Sequence, residues 1–325
     1  VVDTSKLSRA ELRAYMKEYR RGRSRALSPE EKSHSNVVRL WQSFLDRGDE
    51  GFFPYYIPGV GTPFIEIGEP VETSEGKAFA KGGQARIIFA LLQVINSVAM
   101  AVAKAPLYQT DEVGRLAVRY GGEIGATVYR NNGRSGGERV THRRWFEPHI
   151  EKLTRLLKAH EKPKVPSIKV SVFGFSRGAA QAIAFCHLFD QLRSDEEIAG
   201  IPAEIRFLGI FDTVATVGGS SSMARTMPLP GAIFDGHWAW ANDILKPLPP
   251  SVRTAVHYVA AHEVRMNFPV TCPRGNVTHV YFPGVHSDVG GGYAPGEQGK
   301  GRGRQGTSMP TRRPSPCRAI TMARN

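Results

Sequence analysis

The sequence is poor in cysteine: Cys186, Cys272 and Cys317 are the three among 325 residues. They form no C-x-x-C and no His/Cys spacing of a zinc site. Neither a disulfide framework nor a structural metal is therefore expected, and the fold should not depend on an oxidising compartment. The start, Val1-Val2-Asp3-Thr4-Ser5-Lys6, lacks the apolar run of a secretory signal. It also lacks Met, which sets the expectation that the natural N-terminus lies upstream. No apolar stretch reaches the ~20 residues of a secure membrane span. The longest, Ala85 to Val102, is interrupted by Gln93, Asn96 and Ser97. It reads as a core helix, or alternatively as a lid or lipid-facing element beside a site. Acidic residues are absent from Gly299 to Asn325, which carries seven Lys/Arg, over half of the net charge of +13. A basic excess gathered in one tail, without a helix-turn-helix, RNA-binding aromatic motif or zinc finger, does not describe a nucleic-acid binder.

What is present is the composition of a globular chain: 41% hydrophobic and 22% charged residues, enough for a sizeable core. Three segments are expected. Residues 1–34 are charged and partly helical, from Arg9 to Arg21. Residues 35–298 form the folded domain. Residues 299–325 form a basic tail.

Along that domain, Ser35-Asn36 should cap an amphipathic helix whose apolar positions are Val37, Leu40, Trp41, Phe44 and Leu45, ending at Asp46-Arg47-Gly48. Phe52 to Ile57 reads as a short aromatic strand, stopped by the glycine loop Pro58-Gly59-Val60-Gly61-Thr62. Tyr129 to Glu138 reads as a polar glycine loop. Phe146, Ile150, Leu153, Leu156 and Leu157 mark a further helix. Strand-like runs follow at Ile168 to Phe173, Ile205 to Phe211, Val256 to Ala260 and Val280 to Pro283. Strands alternating with helices imply an α/β fold, a mostly parallel sheet with helices on both faces. Ligand-binding groups in such sheets gather at the carboxyl ends of strands.

The sharpest signal is Gly174-Phe175-Ser176-Arg177-Gly178, between the β-branched run Ile168 to Phe173 and the helical run Ala179 to Phe185. A G-x-S-x-G between strand and helix is a nucleophile elbow, here expected after a central strand. The turn is tight, so small residues should flank the serine, whose hydroxyl stands at a helix N-terminus. A nucleophilic serine needs a histidine as base and an acid behind it, in this fold in the order Ser, acid, His. Ser176, Asp212 and His286 satisfy that order. Asp212 directly follows an apolar strand, where a carboxylate is costly unless partnered. His286 lies between Pro283-Gly284-Val285 and Gly290-Gly291-Gly292, a glycine-rich loop able to bring it close.

Rivals exist. His257 sits inside an apolar run and reads as a satisfied core histidine. His262 precedes Glu263, an alternative acid. Asp288 is another, suited to orienting the loop or binding a cation. Asp212 ranks first, Glu263 second and Asp288 third. The backbone N–H of Arg177 should form half of an oxyanion hole. Its side chain is suited either to pairing with a surface acid or to meeting a substrate phosphate.

Three blocks carry a family resemblance: Gly174-Phe175-Ser176-Arg177-Gly178-Ala179, Phe211-Asp212-Thr213-Val214-Ala215, and Gly284-Val285-His286-Ser287-Asp288-Val289-Gly290-Gly291-Gly292-Tyr293. Ser35-Asn36-Val37, Tyr56 to Thr62, and His257-Tyr258-Val259-Ala260 with Glu263 and Arg265 add to it. Over roughly residues 35 to 300 the chain resembles the family of uncharacterised bacterial α/β-hydrolase domains that includes type VI secretion lipase effectors. The resemblance implies an ester hydrolase of membrane phospholipids and supports Ser176, Asp212 and His286 as the triad; serine chemistry of this kind needs no metal and no organic cofactor. It further implies synthesis in the bacterial cytoplasm and delivery into rival cells without a signal peptide. A secretion-apparatus component and an immunity protein are then candidate partners.

The sequence departs from the family twice. The family opens with a strand ending in Asp-Gly-Thr, after which the second oxyanion donor is expected; this chain has no such strand. Either Gly59 or Gly61 takes its place, or the chain is an incomplete copy. The end dissolves into Pro, Arg, Ser and Thr, as a disordered tail, a shifted frame or a degraded gene would. Two alternatives to a phospholipase remain: an esterase of small soluble esters, and an inactive remnant that attaches to anionic surfaces as a binding module.

Overall fold

The computed structural model describes residues 34–71, 82–124, 127–128, 138–160, 164–214, 246–264 and 270–292. The expected helix at Arg9–Arg21, most of the loop from Tyr129, and the basic tail lie outside them.

Seven strands and six helices organise the described residues. In chain order they are α1 (Asn36–Ser43), α2 (Gly83–Ala103), α3 (Thr110–Glu123), β1 (Thr127–Val128), β2 (Glu138–Arg139), α4 (His142–Ala159), β3 (Ile168–Phe175), α5 (Arg177–Leu192), β4 (Glu197–Ile198), β5 (Ile201–Phe211), β6 (Ala255–Ala260), β7 (Thr278–Phe282) and α6 (His286–Gly290). The main sheet has the order β3-β5-β6-β7, every neighbouring pair parallel. β4 turns back on β5 as an antiparallel hairpin. Its two-residue loop, Ala199-Gly200, has φ of 54° and 78°, the double positive φ of a type I′ turn.

The expected α/β pattern is therefore present. Among the described residues the elbow strand β3 pairs with β5, in parallel. Strand order is set by how the chain crosses over, and the β-branched run Ile168 to Val172 does not announce which strand it will pair with.

α2 settles between its two readings. By length and composition it could cross a membrane. Here Ile88, Leu91, Leu92 and Ala99 are fully buried, and it packs against α3, α4 and α5. Each such Leu or Ile stabilises the fold by about 1.5–3 kcal/mol, so the helix is core. Phe146 and Leu153 of α4, Ile183 and Phe189 of α5, and Ile205 and Ile210 of β5 complete the same cluster. Two buried histidines bind the layers. His142 Nε2 donates to the Leu188 carbonyl (3.0 Å), leaving Nδ1 to accept from the Tyr120 hydroxyl (2.9 Å). Tyr108 and His149 pair at 2.8 Å.

Phe52 to Ile57 is not a strand. Pro54 removes a ladder donor, and the aromatic side chains turn to helices instead. Tyr56 meets Trp41, Phe52 meets Phe44, and Tyr55 bonds Ser97 of α2. α1 is capped as expected, the Ser35 hydroxyl accepting from Val38 N–H, but it ends at Ser43 and none of its residues is buried. Val37, Val38 and Trp41 are half-buried, Trp41 against Tyr56, while Leu40 and Phe44 stay exposed.

Candidate active site

The elbow is built from backbone. Ser176 has φ 58° and ψ −123°, a conformation serine seldom adopts and one that costs about 1–3 kcal/mol. Hydrogen bonds over-determine it. Its N–H donates to the Phe211 carbonyl (3.0 Å), and its carbonyl accepts from Val214 N–H (3.2 Å). Those partners flank Asp212, so the elbow and the end of β5 are sewn together. The two glycines of the motif differ. A Cβ on Gly174 would strike the Gly178 carbonyl oxygen and Ala179 Cα, whereas a Cβ on Gly178 would meet nothing. Only the first is demanded by the close approach of strand and helix. Arg177 opens α5, where the first N–H groups have no intrahelical partner and point out of the helix.

Asp212 follows β5 with φ 37° and is fully buried. Both carboxylate oxygens are used. Oδ1 accepts from Ala260 N–H at 3.0 Å, and Oδ2 lies 2.6 Å from His286 Nδ1. A carboxylate only accepts, so Nδ1 carries a ring proton toward Asp212. His286, 2% exposed, rests on the Phe175 ring at 4.5 Å between centroids. It is the first residue of α6 rather than part of an open loop, because Asp288 Oδ2 accepts from Val285 N–H (2.7 Å) and starts a helical turn. Gly290 is obligatory there: a Cβ would enter the Phe175 ring.

The rival residues hold backbone. Glu263, 2% exposed, accepts from His286 N–H at 3.0 Å. His262 Nδ1 accepts from Gly284 N–H at 2.9 Å. His257 is buried, as expected of a core histidine; its Nε2 accepts from Thr213 N–H at 3.2 Å. Its Nδ1 therefore bears the proton and gives it to His279 Nδ1, also 3.2 Å away. Burial, and the neighbouring His279, push the His257 pKa down to about 3. Cys272 lies within 4.8 Å of both rings, a spacing a metal could use. Cys272 is disulfide-bonded, and a disulfide sulfur lacks the thiolate charge that makes cysteine a metal ligand. The trio is better described as a hydrogen-bonded pair beside a disulfide.

Gly59 and Gly61 lie in a tight turn closed by Thr62 N–H to the Gly59 carbonyl (3.0 Å), with Gly61 at φ 83°. Sequence reading missed what fastens this turn. Arg86, fully buried, donates to the carbonyls of Pro58 (2.9 Å) and Thr62 (2.7 Å) and pairs with Glu69 (2.6 Å). Gln181 of α5 bonds the Gly83 carbonyl at the start of the same helix (3.2 Å). A contact chain thus joins the glycine turn to the second turn of the serine helix. A lone arginine at the head of an apolar helix was the signal.

Residues 189–310 match the family described as T6SS, Phospholipase effector Tle1-like, catalytic domain. The resemblance is to the Tle1-like phospholipase effectors of type VI secretion. No relative matches among curated proteins. Among solved structures, an uncharacterized protein from Pseudomonas aeruginosa shares 31% identity with a TM-score of 0.61, over 80% of this chain and 38% of that one. A Tle1 effector bound to the VgrG spike of the type 6 secretion system shares 30% identity over 46% of this chain and 31% of that chain, with a TM-score of 0.27. The chain thus spans well under half the length of either protein. The block containing Asp212 and His286 falls inside the Tle1-like match; Ser176 precedes it.

Proposed function

We propose that residues 35–298 form the catalytic unit of a serine ester hydrolase that cleaves carboxyl esters of membrane phospholipids. The observation that carries this reading is the buried Asp212–His286 bond of 2.6 Å at the carboxyl edge of the sheet, next to the strained turn at Ser176. His286 Nε2 takes the proton of the Ser176 hydroxyl as its oxygen adds to the ester carbonyl. Arg177 N–H and a donor from the Gly59–Gly61 turn hold the resulting oxyanion. The ester C–O bond breaks, and the imidazolium returns its proton to the leaving lysophospholipid hydroxyl. Water then repeats the sequence on the acyl-serine and releases a fatty acid. No step calls for a metal or organic cofactor.

The Tle1-like match supports phospholipid as the substrate class and type VI secretion as the route. On that reading the protein is made in the bacterial cytoplasm and enters a target cell without a signal peptide. A secretion-apparatus component and an immunity protein are its proposed partners.

Phospholipid vesicles test the proposal. The protein should release fatty acid, and Ser176→Ala should lower the rate by a factor on the order of 10⁴. Equal release by both would end it. Turnover of short-chain nitrophenyl esters alone would replace phospholipids by small soluble esters as the substrate.

A further inference from the structure

His286 sits on a helix of five residues, too short to hold its own position by helical hydrogen bonding. Two side chains from distant parts of the chain grip that helix at opposite ends. At its start, Glu263 Oε2 accepts the backbone N–H of His286 itself at 3.0 Å. At its end, Asn36 Nδ2 donates to the Val289 carbonyl at 2.8 Å, across 253 positions of sequence. The second grip is reinforced where Ser35 and Gly291 form an isolated β-bridge. Glu263 is buried in the same measure as His286, 2% exposed each. A buried carboxylate is retained there only against a donor, and His286 N–H is one.

We propose that Glu263 and Asn36 are positioning residues that clamp the two ends of the His286 helix and so fix the imidazole against Asp212. The proposal rests on the hydrolase reading for its consequence in catalysis, but not for its geometry. It assigns work to two residues that the triad does not use. Glu263 does not compete with Asp212 as the acid, because its oxygen engages the backbone of His286 and not the ring. Asn36 gains a reason to stand beside Ser35: the serine caps α1 while the asparagine reaches to the catalytic helix.

Such clamps act through geometry. A misplacement of about 1 Å at a catalytic group can lower a rate by about 10²-fold without a change in substrate binding. Glu263→Ala removes the acceptor, while Glu263→Gln keeps an amide oxygen in its place. Asn36→Ala removes the donor, and Asn36→Asp turns an acceptor toward the Val289 carbonyl.

The test has two readouts on the same samples. One is the NMR resonance of the His286 Nδ1 proton, assigned by its loss in His286→Gln. The other is kcat and KM on a short-chain nitrophenyl ester, with thermal unfolding recorded beside them. Glu263→Ala and Asn36→Asp should shift or broaden the Nδ1 proton and lower kcat by about 10- to 100-fold at unchanged KM. Glu263→Gln should restore most of both. Should Glu263→Ala fail to fold, Glu263→Gln and the Asn36 variants decide. An unshifted resonance with unchanged kcat in Glu263→Ala and Asn36→Asp overturns the proposal. So does a loss in Glu263→Gln as deep as in Glu263→Ala. If the unsubstituted protein gives the resonance but hydrolyses no ester, the hydrolase reading fails. The resonance alone then still decides the clamp.

Discussion

Asp212 and His286 are 74 positions apart, yet Oδ2 of one lies 2.6 Å from Nδ1 of the other, with both side chains buried. Two parallel neighbours, β5 and β6, bring this about. Asp212 leaves the end of β5, β6 supplies Ala260 N–H to its second oxygen, and the chain returns through β7 to α6. The carboxylate is thereby held by backbone on one oxygen and by the histidine on the other.

Asp212→Asn should keep this geometry while offering an amide donor to Nδ1. The ring then favours the wrong tautomer, with its proton on Nε2. Ester hydrolysis at neutral pH should fall by a factor on the order of 10⁴, with KM changed little. Steady-state kinetics on a soluble ester measures both terms, and a fall below tenfold would detach Asp212 from the chemistry.

The two glycines of the elbow should respond differently. Gly174→Ala forces a methyl group into backbone atoms of α5 and should cost about 1–3 kcal/mol, with the elbow displaced. Gly178→Ala meets open space in a helix and should be neutral or mildly stabilising. Chemical denaturation of the two variants side by side checks this, and equal losses would contradict it.

Arg86 ties Pro58, Thr62 and Glu69 together from a fully buried position. Arg86→Met should leave those acceptors without their donor and destabilise the fold by about 3 kcal/mol. It should also loosen the Gly59–Gly61 turn. Thermal unfolding and proteolysis near Thr62 report the two effects.

Stability should fall in mild acid through His149. Burial, then the nearby Arg119 and Lys152 charges, push its pKa from 6.5 down to about 4. The unfolded chain therefore binds this proton more readily than the folded one. The contribution is fully present above about pH 6.5, declines as pH drops and is gone below about pH 4. At pH 5 the loss should be about 2 kcal/mol. His149→Gln should flatten the dependence of unfolding free energy on pH between 7 and 5; an unchanged slope would assign the acid sensitivity elsewhere.

Much of this was legible in the residues. The elbow, its strand and its helix are local: β-branched run, G-x-S-x-G and helical run follow one another. The strands leading into Asp212, into Ala261-His262-Glu263 and into Gly284-Val285-His286 were likewise marked by the apolar runs Ile205 to Phe211, Val256 to Ala260 and Val280 to Pro283. What was not legible is non-local. Which described strand β3 pairs with depends on crossovers. Phe52 to Ile57 has strand-like residues, but Pro54 and nearby helices divert it. Glu263 read as a rival acid because sequence cannot tell a carboxylate facing a ring from one facing a backbone N–H. Asn36 read as part of a cap because its partner lies at the far end of the domain.

The most direct measurement is covalent labelling with a fluorophosphonate probe, followed by peptide mapping. The account predicts a single adduct on Ser176 in the folded protein, with labelling abolished in His286→Ala and strongly slowed in Asp212→Asn. A folded protein that takes no label, or takes it at the same rate without His286, would contradict it.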